Sequence, residues 1–488
     1  MQQSKKPIEL IREEKLKKIE KLKELNVNPY PSVLTFDVDS ISQAREQKEG
    51  ATVSVAGRIT SVRGHGGIRF FDIKNESGHI QAACKADVVS EKNQEIINLV
   101  DAGDFIEVTG QLFTTKTGEL TINTTDLHLL SKAIRPLPDE HEGLVDKEIR
   151  FRKRYLDLLI NPSTRAIFDT RHALIKGIRS FLDQKGLTEV ETPVLQPLYG
   201  GANAKPFITH IHALDTNAYL RIASELYLKR LVVGGIEGVY DIAKDFRNEG
   251  VDQTHFPEFT MLEAYIPYAD YHNMMDTMEE LVRFLATSVV KQTTVTVHET
   301  QVDLSGEWRR VAMTDLILEY LSFDVTTKTH EQLITYANDQ KIDFLPSTGT
   351  GELIFLIFDK LVSHKLINPT WVIDYPIEVS PLSKNHRSKP GFTERFELYI
   401  GGVELMDGWS EVNDSIEQRT RFEEESKRNL SETESAQPLD EDFLEALEYG
   451  APPFAGVGIG LDRLTMFFTN TWSIQETILF PFKKQQST

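Results

Sequence analysis

The sequence predicts a multi-domain chain in which a small all-β barrel is followed by a large α+β domain on an antiparallel sheet. Three observations carry this. Between Thr52 and about Leu130, apolar and polar residues alternate in short runs such as 53–57 and 105–109, punctuated by Asn75, Gly78, Gly110 and Gly118. About eighty residues of that kind suit a closed barrel, for which the five-stranded oligonucleotide-binding (OB) fold is the common solution. Next, Ala133-Ile134-Arg135-Pro136-Leu137-Pro138 reads as a stiff linker, because proline fixes its own φ and disfavours helix before it. Beyond the linker, strands and helices alternate without regular βαβ spacing, which argues against a parallel sheet. The expected organisation is a helical extension over residues 1–50, the barrel over 51–138 and the α+β domain over 139–488.

Composition narrows the function classes. A chain of 488 residues with 40% hydrophobic content can bury two cores, and 26% charged residues give no sign of wholesale disorder. The apolar run 354–358 falls far short of the roughly 20 residues of a membrane span. The polar start, with Gln2, Gln3, Lys5 and Lys6, offers no signal-peptide core. Cys84 is the only cysteine, which excludes an internal disulfide and a multi-cysteine metal site. A cytoplasmic, reducing setting without membrane contact is expected. The net charge of −20 does not exclude a nucleic-acid partner, since a local basic surface suffices to dock a phosphate backbone. Lysines and an arginine between Lys5 and Lys23 alternate with glutamates, and Ile8, Ile11, Leu16, Ile19, Leu22 and Leu25 recur at helical spacing. This amphipathic helix serves equally as a basic docking surface or as a cover for a neighbouring domain.

In the larger domain, Ser163 or Thr164 is expected to cap a helix with apolar face Ile167, Phe168, Leu174, Ile175, Ile178, Phe181 and Leu182, stopped by Gly186. Strand and proline follow in 187–195. The segment 239–249 reads as a strand, 250–257 as a loop and 258–265 as a return strand. Alternation places Arg247 and Glu249 on one face, and Phe259, Met261, Glu263 and Tyr265 on one face of the return strand. An arginine on a rigid strand suits the clamping of a phosphate, an adjacent ring suits a purine, and His255 in the loop can reach outer phosphates. Gly456, Gly458 and Gly460 lead into Leu461-Asp462-Arg463. Too little chain follows for a dinucleotide-binding unit; a strand whose glycines admit a flat ring, with Arg463 as a second cation, fits better. Glu397, Glu404 and Glu411 stand seven apart; carboxylates near two arginines can bind a magnesium ion bridging phosphates. The polar stretch 428–442 reads as a surface excursion.

Taken together, residues 186–193, Phe246-Arg247-Asn248-Glu249 with its loop, and 456–463 resemble motifs 1, 2 and 3 of the class II aminoacyl-tRNA synthetases, in that order. An N-terminal barrel before such a domain is similar to the lysyl, aspartyl and asparaginyl subclass. Residues 200–207, 221–230, 28–31 and 150–159 resemble the lysyl family. The resemblance implies a lysine–tRNA ligase that uses ATP and Mg²⁺, a tRNA(Lys) partner and a homodimer built on motif 1. It places Arg247 at the α-phosphate and the amino-acid carboxylate, with Glu249 and His255 as ATP contacts. Phe259 stacks on adenine, Arg463 sits at the γ-phosphate, and Glu397 and Glu404 are the magnesium ligands. The lysine pocket comprises Gly201, Glu225, Glu263, Tyr265, Asp407, Trp409 and Glu411. A substrate ammonium loses its water on entry, and only close carboxylates and a phenol compensate. In the barrel, Phe70 is expected to stack an anticodon base and Arg63, Gln81 and Glu119 to read base edges, although either Phe70 or Phe71 must point into the core.

Two departures stand out. Asp407-Gly408-Trp409 replaces the family's asparagine, glycine and phenylalanine or tyrosine, and Phe454-Ala455 replaces its threonine-glycine pair. The rival readings are a paralogue that aminoacylates a protein, which lacks such a barrel, and a non-catalytic nucleic-acid-binding protein, against which Arg247, Glu249, Arg463, Glu397 and Glu404 argue.

Overall fold

The computed structural model describes residues 7–64, 67–138, 143–432 and 439–485, so Lys5 and Lys6 lie outside the described residues. The chain divides into two compact units, Met1–Gly143 and Leu144–Thr488.

The first unit is a closed barrel of β1 (Thr52–Arg63), β2 (Ile68–Asn75), β3 (Gly78–Lys85), β4 (Phe105–Thr114) and β5 (Leu120–Ser131), in the order β1-β2-β3-β5-β4. Only β3 and β5 run parallel. Alternate residues such as Val53, Val55, Phe71, Ile73, Val108 and Ile122 fill the interior, the period-two burial that the alternation dictates. Phe71 is fully buried there, and Phe70 therefore points outward and is half-buried. The helix Pro7–Glu24 uses its apolar stripe unevenly. Leu22 and Ile19 are buried, Leu22 within the barrel core, whereas Ile8 and Ile11 are exposed. Lys18 pairs with Asp101 at 2.5 Å, and Lys15 Nζ donates to the Ala102 carbonyl. The second half of this helix thus covers the barrel.

The second unit holds an eight-stranded sheet. In chain order its strands are β6 (Thr188–Glu189), then, after a small sheet of β7 (Leu195–Gln196), β8 (Ile208–Ile211) and β9 (Thr216–Leu220), the pair β10 (Val239–Phe246) and β11 (Glu258–Pro267). A separate hairpin, β12 (Thr294–Val297) with β13 (Thr300–Asp303), precedes β14 (Arg309–Ala312), β15 (Thr370–Pro376), β16 (Phe392–Ile400), β17 (Val403–Ser410) and β18 (Phe454–Gly460). The order is β14-β15-β16-β17-β18-β11-β10-β6, antiparallel throughout the middle and parallel at both edge pairs. One side is covered by the helices Pro162–Gln184 and Tyr271–Phe284, whose Leu174, Ile178, Met274 and Leu281 share a core with Leu262, Phe396 and Ile459.

Three local expectations need correction. The long helix starts at Pro162 with Asn161 as its cap residue, not at Ser163 or Thr164. Proline suits the first turn, where its missing N–H leaves nothing unpaired, and the Thr164 hydroxyl instead donates to Asp157. Its face from Ile167 to Leu182 is largely occupied by the chain's own core: Leu174, Ile178, Phe181 and Leu182 are buried. Strand β10 ends at Phe246, so Arg247 and Glu249 sit in the following loop and not on a strand face. The stretch read as a surface excursion, 428–442, begins within the helix Ser415–Glu432 and ends in the first turn of the helix Glu441–Glu448, whose cap Asp440 pairs with Arg230; residues 433–438 lie outside the described residues.

Candidate active site

The face of the sheet away from those two helices carries a cavity of about 660 Å³. Its floor follows from the register. Glu263 pairs across β18 with Gly458 and then Asp407; Tyr265 pairs with Gly456 and then Trp409. Cross-strand partners project to the same face, so the glycines of β18 leave a bare trough between side chains of β11 and β17. A Cβ at Gly456 would stand 2.3 Å from Glu411 Oε1 and 2.4 Å from the Tyr265 ring. The flat ring expected against these glycines is therefore, at Gly456, the protein's own tyrosine.

At one end stand two arginines. Arg247 is held by its N–H, which donates to the Pro257 carbonyl, and by its Nε, which donates to the Ile222 carbonyl; its guanidinium lies 5.1 Å over the Phe259 ring. Arg463 donates to the Glu404 carbonyl at 3.0 Å and lies 3.3 Å from the Glu404 carboxylate and 3.2 Å from His255 Nε2. Glu249 accepts from the Lys205 N–H. Arg247, Glu249, His255, Phe259, Glu404 and Arg463 all line the cavity. Sequence reasoning missed Asp462, which accepts the Thr260 N–H at 2.7 Å and pairs with Arg171 at 2.7 Å, tying the start of the helix Leu461–Thr469 to β11 and to the Pro162–Gln184 helix. An acid one residue before a recognised arginine was the available signal.

At the other end are buried carboxylates. Glu225 opens a helix, Glu263 lies mid-strand and Glu411 follows β17. Burial pushes Glu263 up to about 8, reinforced by Asp245 and Glu225 and opposed by the Ser224 N–H and Arg247. Burial pushes Glu411 up to about 8 as well, with Lys229 opposing. Tyr265 Oη donates to Glu263 Oε2 at 3.3 Å, and Trp409 Nε1 to Glu411 Oε2 at 2.8 Å. Gly201 lines the cavity with φ +85°, a conformation that favours glycine, and a Cβ there would sit 3.1 Å from Glu225 Cβ. Lys229, between Glu225 and Glu411, was not singled out from sequence.

The third cluster lies between. Glu397 accepts from Arg395 at 2.7 Å and from Tyr399 Oη at 2.6 Å; Arg395 also holds Asp407 through 2.9 and 2.8 Å bonds. The departure at Asp407 is thus matched by a cation. Burial pushes Asp407 up to about 6 against Arg395. The register of β16 and β17 shifts between Leu398/Tyr399, where Leu405 is the extra residue. That bulge turns Glu404 to the site face, which strict alternation denies it. The other departure, Phe454, is buried against Tyr265, ring centroids 6.4 Å apart.

In the barrel, Arg63 pairs with Phe70 in register, Asp72 with Gln81, and Gln81 with Thr121, so these side chains share one outer face. Arg63 and Gln81 both reach Asp72, at 2.7 and 3.5 Å, and Gln81 also accepts from Thr121. Glu119 lies in the β4–β5 turn, half-buried.

Comparison with known proteins adds an independent finding. Residues 146–484 match the family described as tRNA synthetases class II (D, K and N), and residues 53–130 match the OB-fold nucleic acid binding domain. Among similar proteins, a lysine–tRNA ligase of Thermoanaerobacter pseudethanolicus is 46% identical over 96% of this chain and 95% of its own length. A "lysine–tRNA ligase 2" of Methanosarcina mazei is 45% identical over 97% and 94%. A lysine–tRNA ligase of Christiangramia forsetii is 44% identical over 98% and 86%.

Proposed function

The chain belongs to the class II tRNA synthetases (D, K and N), and from that premise we propose that it activates L-lysine with ATP and transfers it to the 3′ end of tRNA(Lys). The observation that supports lysine is the polarity of the cavity: Glu225, Glu263 and Tyr265 line one end, with Glu411 buried behind Gly456, and Arg247 and Arg463 line the other. Buried acids compensate a desolvated ammonium, whereas an aspartyl substrate needs cations there.

The lysine carboxylate attacks the α-phosphate in line, pyrophosphate leaves, and the tRNA terminal hydroxyl then attacks the acyl carbon of the adenylate. No protein nucleophile is needed; the residues align and stabilise charge. Arg247 holds the α-phosphate and substrate carboxylate, Phe259 stacks on adenine, and Glu249 contacts ATP. Arg463 and His255 meet the outer phosphates, His255 being braced by Asp252 at 2.8 Å. Arg395 keeps Asp407 engaged beside the lysine site.

Magnesium fits the donor set. Among the described residues no group of three or more acids or histidines forms a protein-only metal cage, and Mg²⁺ ordinarily takes one or two carboxylates plus phosphate oxygens. Glu397 and Glu404 would hold it. Burial, with Asp407 and Glu404 nearby, pushes Glu397 up to about 8 despite Arg395, so a cation there is welcome. When bound, it supplies charge neutralisation at the phosphates.

The same proposal includes anticodon contacts by Phe70, Arg63, Gln81 and Glu119, a cytoplasmic setting, and a homodimer. Among the described residues no helix is long and apolar enough to cross a membrane. Val194, Leu195 and Ile208, beside motif 1, are exposed apolar residues suited to a subunit contact. Pyrophosphate exchange with a panel of amino acids tests the substrate: exchange with lysine alone is expected, and exchange with aspartate or asparagine instead overturns the reading. Sedimentation at micromolar concentration tests the dimer, which a monomer refutes.

A further inference from the structure

One buried cation has no part in that mechanism. Lys229 lies one turn beyond Glu225 on the helix Glu225–Val233 and is 2% exposed. Its Nζ is 2.5 Å from Glu225 Oε1 and 2.5 Å from Glu411 Oε2, under the rings of Tyr265 and Trp409, whose centroids are 5.9 and 5.7 Å away. Glu225 lines the cavity whereas Lys229 and Glu411 do not, so Lys229 meets Glu225 from the protein side. Glu411 Oε1 has no hydrogen-bond partner among the described residues and lies beside Gly456; Glu225 Oε2 lies 3.6 Å from the Cβ position of Gly201. Both glycines line the cavity.

Resting on the lysine reading above, we propose that Lys229 is a positioning residue of the lysine site. Its ammonium clamps one oxygen of Glu225 and one of Glu411, which opposes the protonation that burial favours at both and leaves their second oxygens for the entering substrate ammonium. The charges support this. Ionised together, Glu225, Glu263 and Glu411 would place three negative charges in a closed space, and burial of so many acids without a cation drives protonation. Lys229 leaves two, which matches the two ammonium groups of lysine. A permanent internal ammonium also holds the acids apart before substrate arrives, so little rearrangement accompanies binding. The other groups facing this cluster are Tyr265 and Glu263 from β11, with Arg395 and Asp407 acting on Glu225 and Asp245 and Arg247 acting on Glu263.

The test uses the full chain in pyrophosphate exchange, with lysine and ATP KM measured across neutral to alkaline pH for the parent, Lys229→Met and Lys229→Gln. Loss of the cation removes the opposition to burial, so Glu225 and Glu411 hold protons to higher pH. Lysine KM near neutral pH is expected to rise about tenfold or more, and to level off about one pH unit higher than in the parent, while ATP KM stays within about twofold. A purely structural ion pair would lower the melting temperature and leave that pH profile in place. Should Lys229→Met fail to fold, Lys229→Gln, which keeps a donor without the charge, decides. Folded variants with parental lysine KM and pH profile overturn the proposal. If the parent itself does not exchange with lysine, the substrate reading has failed, and this inference with it.

Discussion

Replacing Glu263 by glutamine separates the two jobs of a buried acid. Glu263 is 5% exposed and burial pushes its carboxyl up to about 8, so near neutral pH it is mostly protonated before substrate arrives. Lysine binding displaces that proton at about 1.4 kcal/mol per pH unit below 8. Breaking a buried ion pair costs about 3–5 kcal/mol. After the proton cost, the net loss near pH 7 is about 2–3.5 kcal/mol, or roughly 30–300-fold in lysine KM. ATP KM should stay within about twofold, because Glu263 faces the end of the cavity away from Arg463. The plot of log KM for lysine against pH, measured by exchange, should lose the slope of one proton. Stability should move oppositely. The folded pKa lies above the ordinary carboxyl value of 4.5, so this group's contribution is present in full below 4.5 and is lost as pH rises through about 8. Glu263→Gln removes that loss and should melt higher than the parent near pH 8, with no difference near pH 4.5. A variant with parental lysine KM, or with ATP binding weakened as much as lysine binding, would refute the pocket assignment.

Four further outcomes follow from the structure. Gly456→Ala places a methyl group 2.3 Å from Glu411 Oε1 and 2.4 Å from Tyr265, so lysine KM in exchange should rise by about tenfold or more, as overpacking of about 1–3 kcal/mol falls on the pocket. Arg247→Ala should lower kcat for exchange by about 10²–10³ without changing the melting temperature by more than a few degrees, since Arg247 lies outside the hydrophobic core; steady-state kinetics and circular dichroism check both halves. Phe70→Ala should raise the tRNA KM in aminoacylation by an amount equal to about 1–3 kcal/mol of binding and leave exchange intact. Phe71→Ala should instead unfold the barrel, at about 3–5 kcal/mol.

Much of the site was legible because its residues fall in short contiguous runs. Arg247, Glu249 and His255 share one strand-loop-strand segment, and the glycines of β18 run directly into Arg463. The pocket acids were harder. Glu225, Glu263 and Glu411 come from a helix start, a strand and a segment after another strand, and only family resemblance linked them. Lys229 was invisible, because on a helix it looks like any solvated partner of Glu225 four residues earlier; only the arrival of Glu411 and burial to 2% reveal its position. Glu404 was reached by resemblance and not by alternation, because a single bulge reverses the parity of β17.

The sequence by itself determined the two-part architecture, the barrel's alternation, the motif segments and the exclusion of disulfide chemistry. All are local properties: side-chain periodicity, proline and glycine backbone limits, and the count of one cysteine. Tertiary structure decided which of Phe70 and Phe71 points inward, where β10 ends, and which carboxylates share a charge environment. Barrel closure selects Phe71 because only one parity of β2 can face the interior. The raised carboxyls of Glu263 and Glu411 arise because both leave water beside Glu225, with Asp245 adding to Glu263 and Lys229 opposing at Glu411; desolvation and mutual repulsion depend on distance in space and not on separation along the chain.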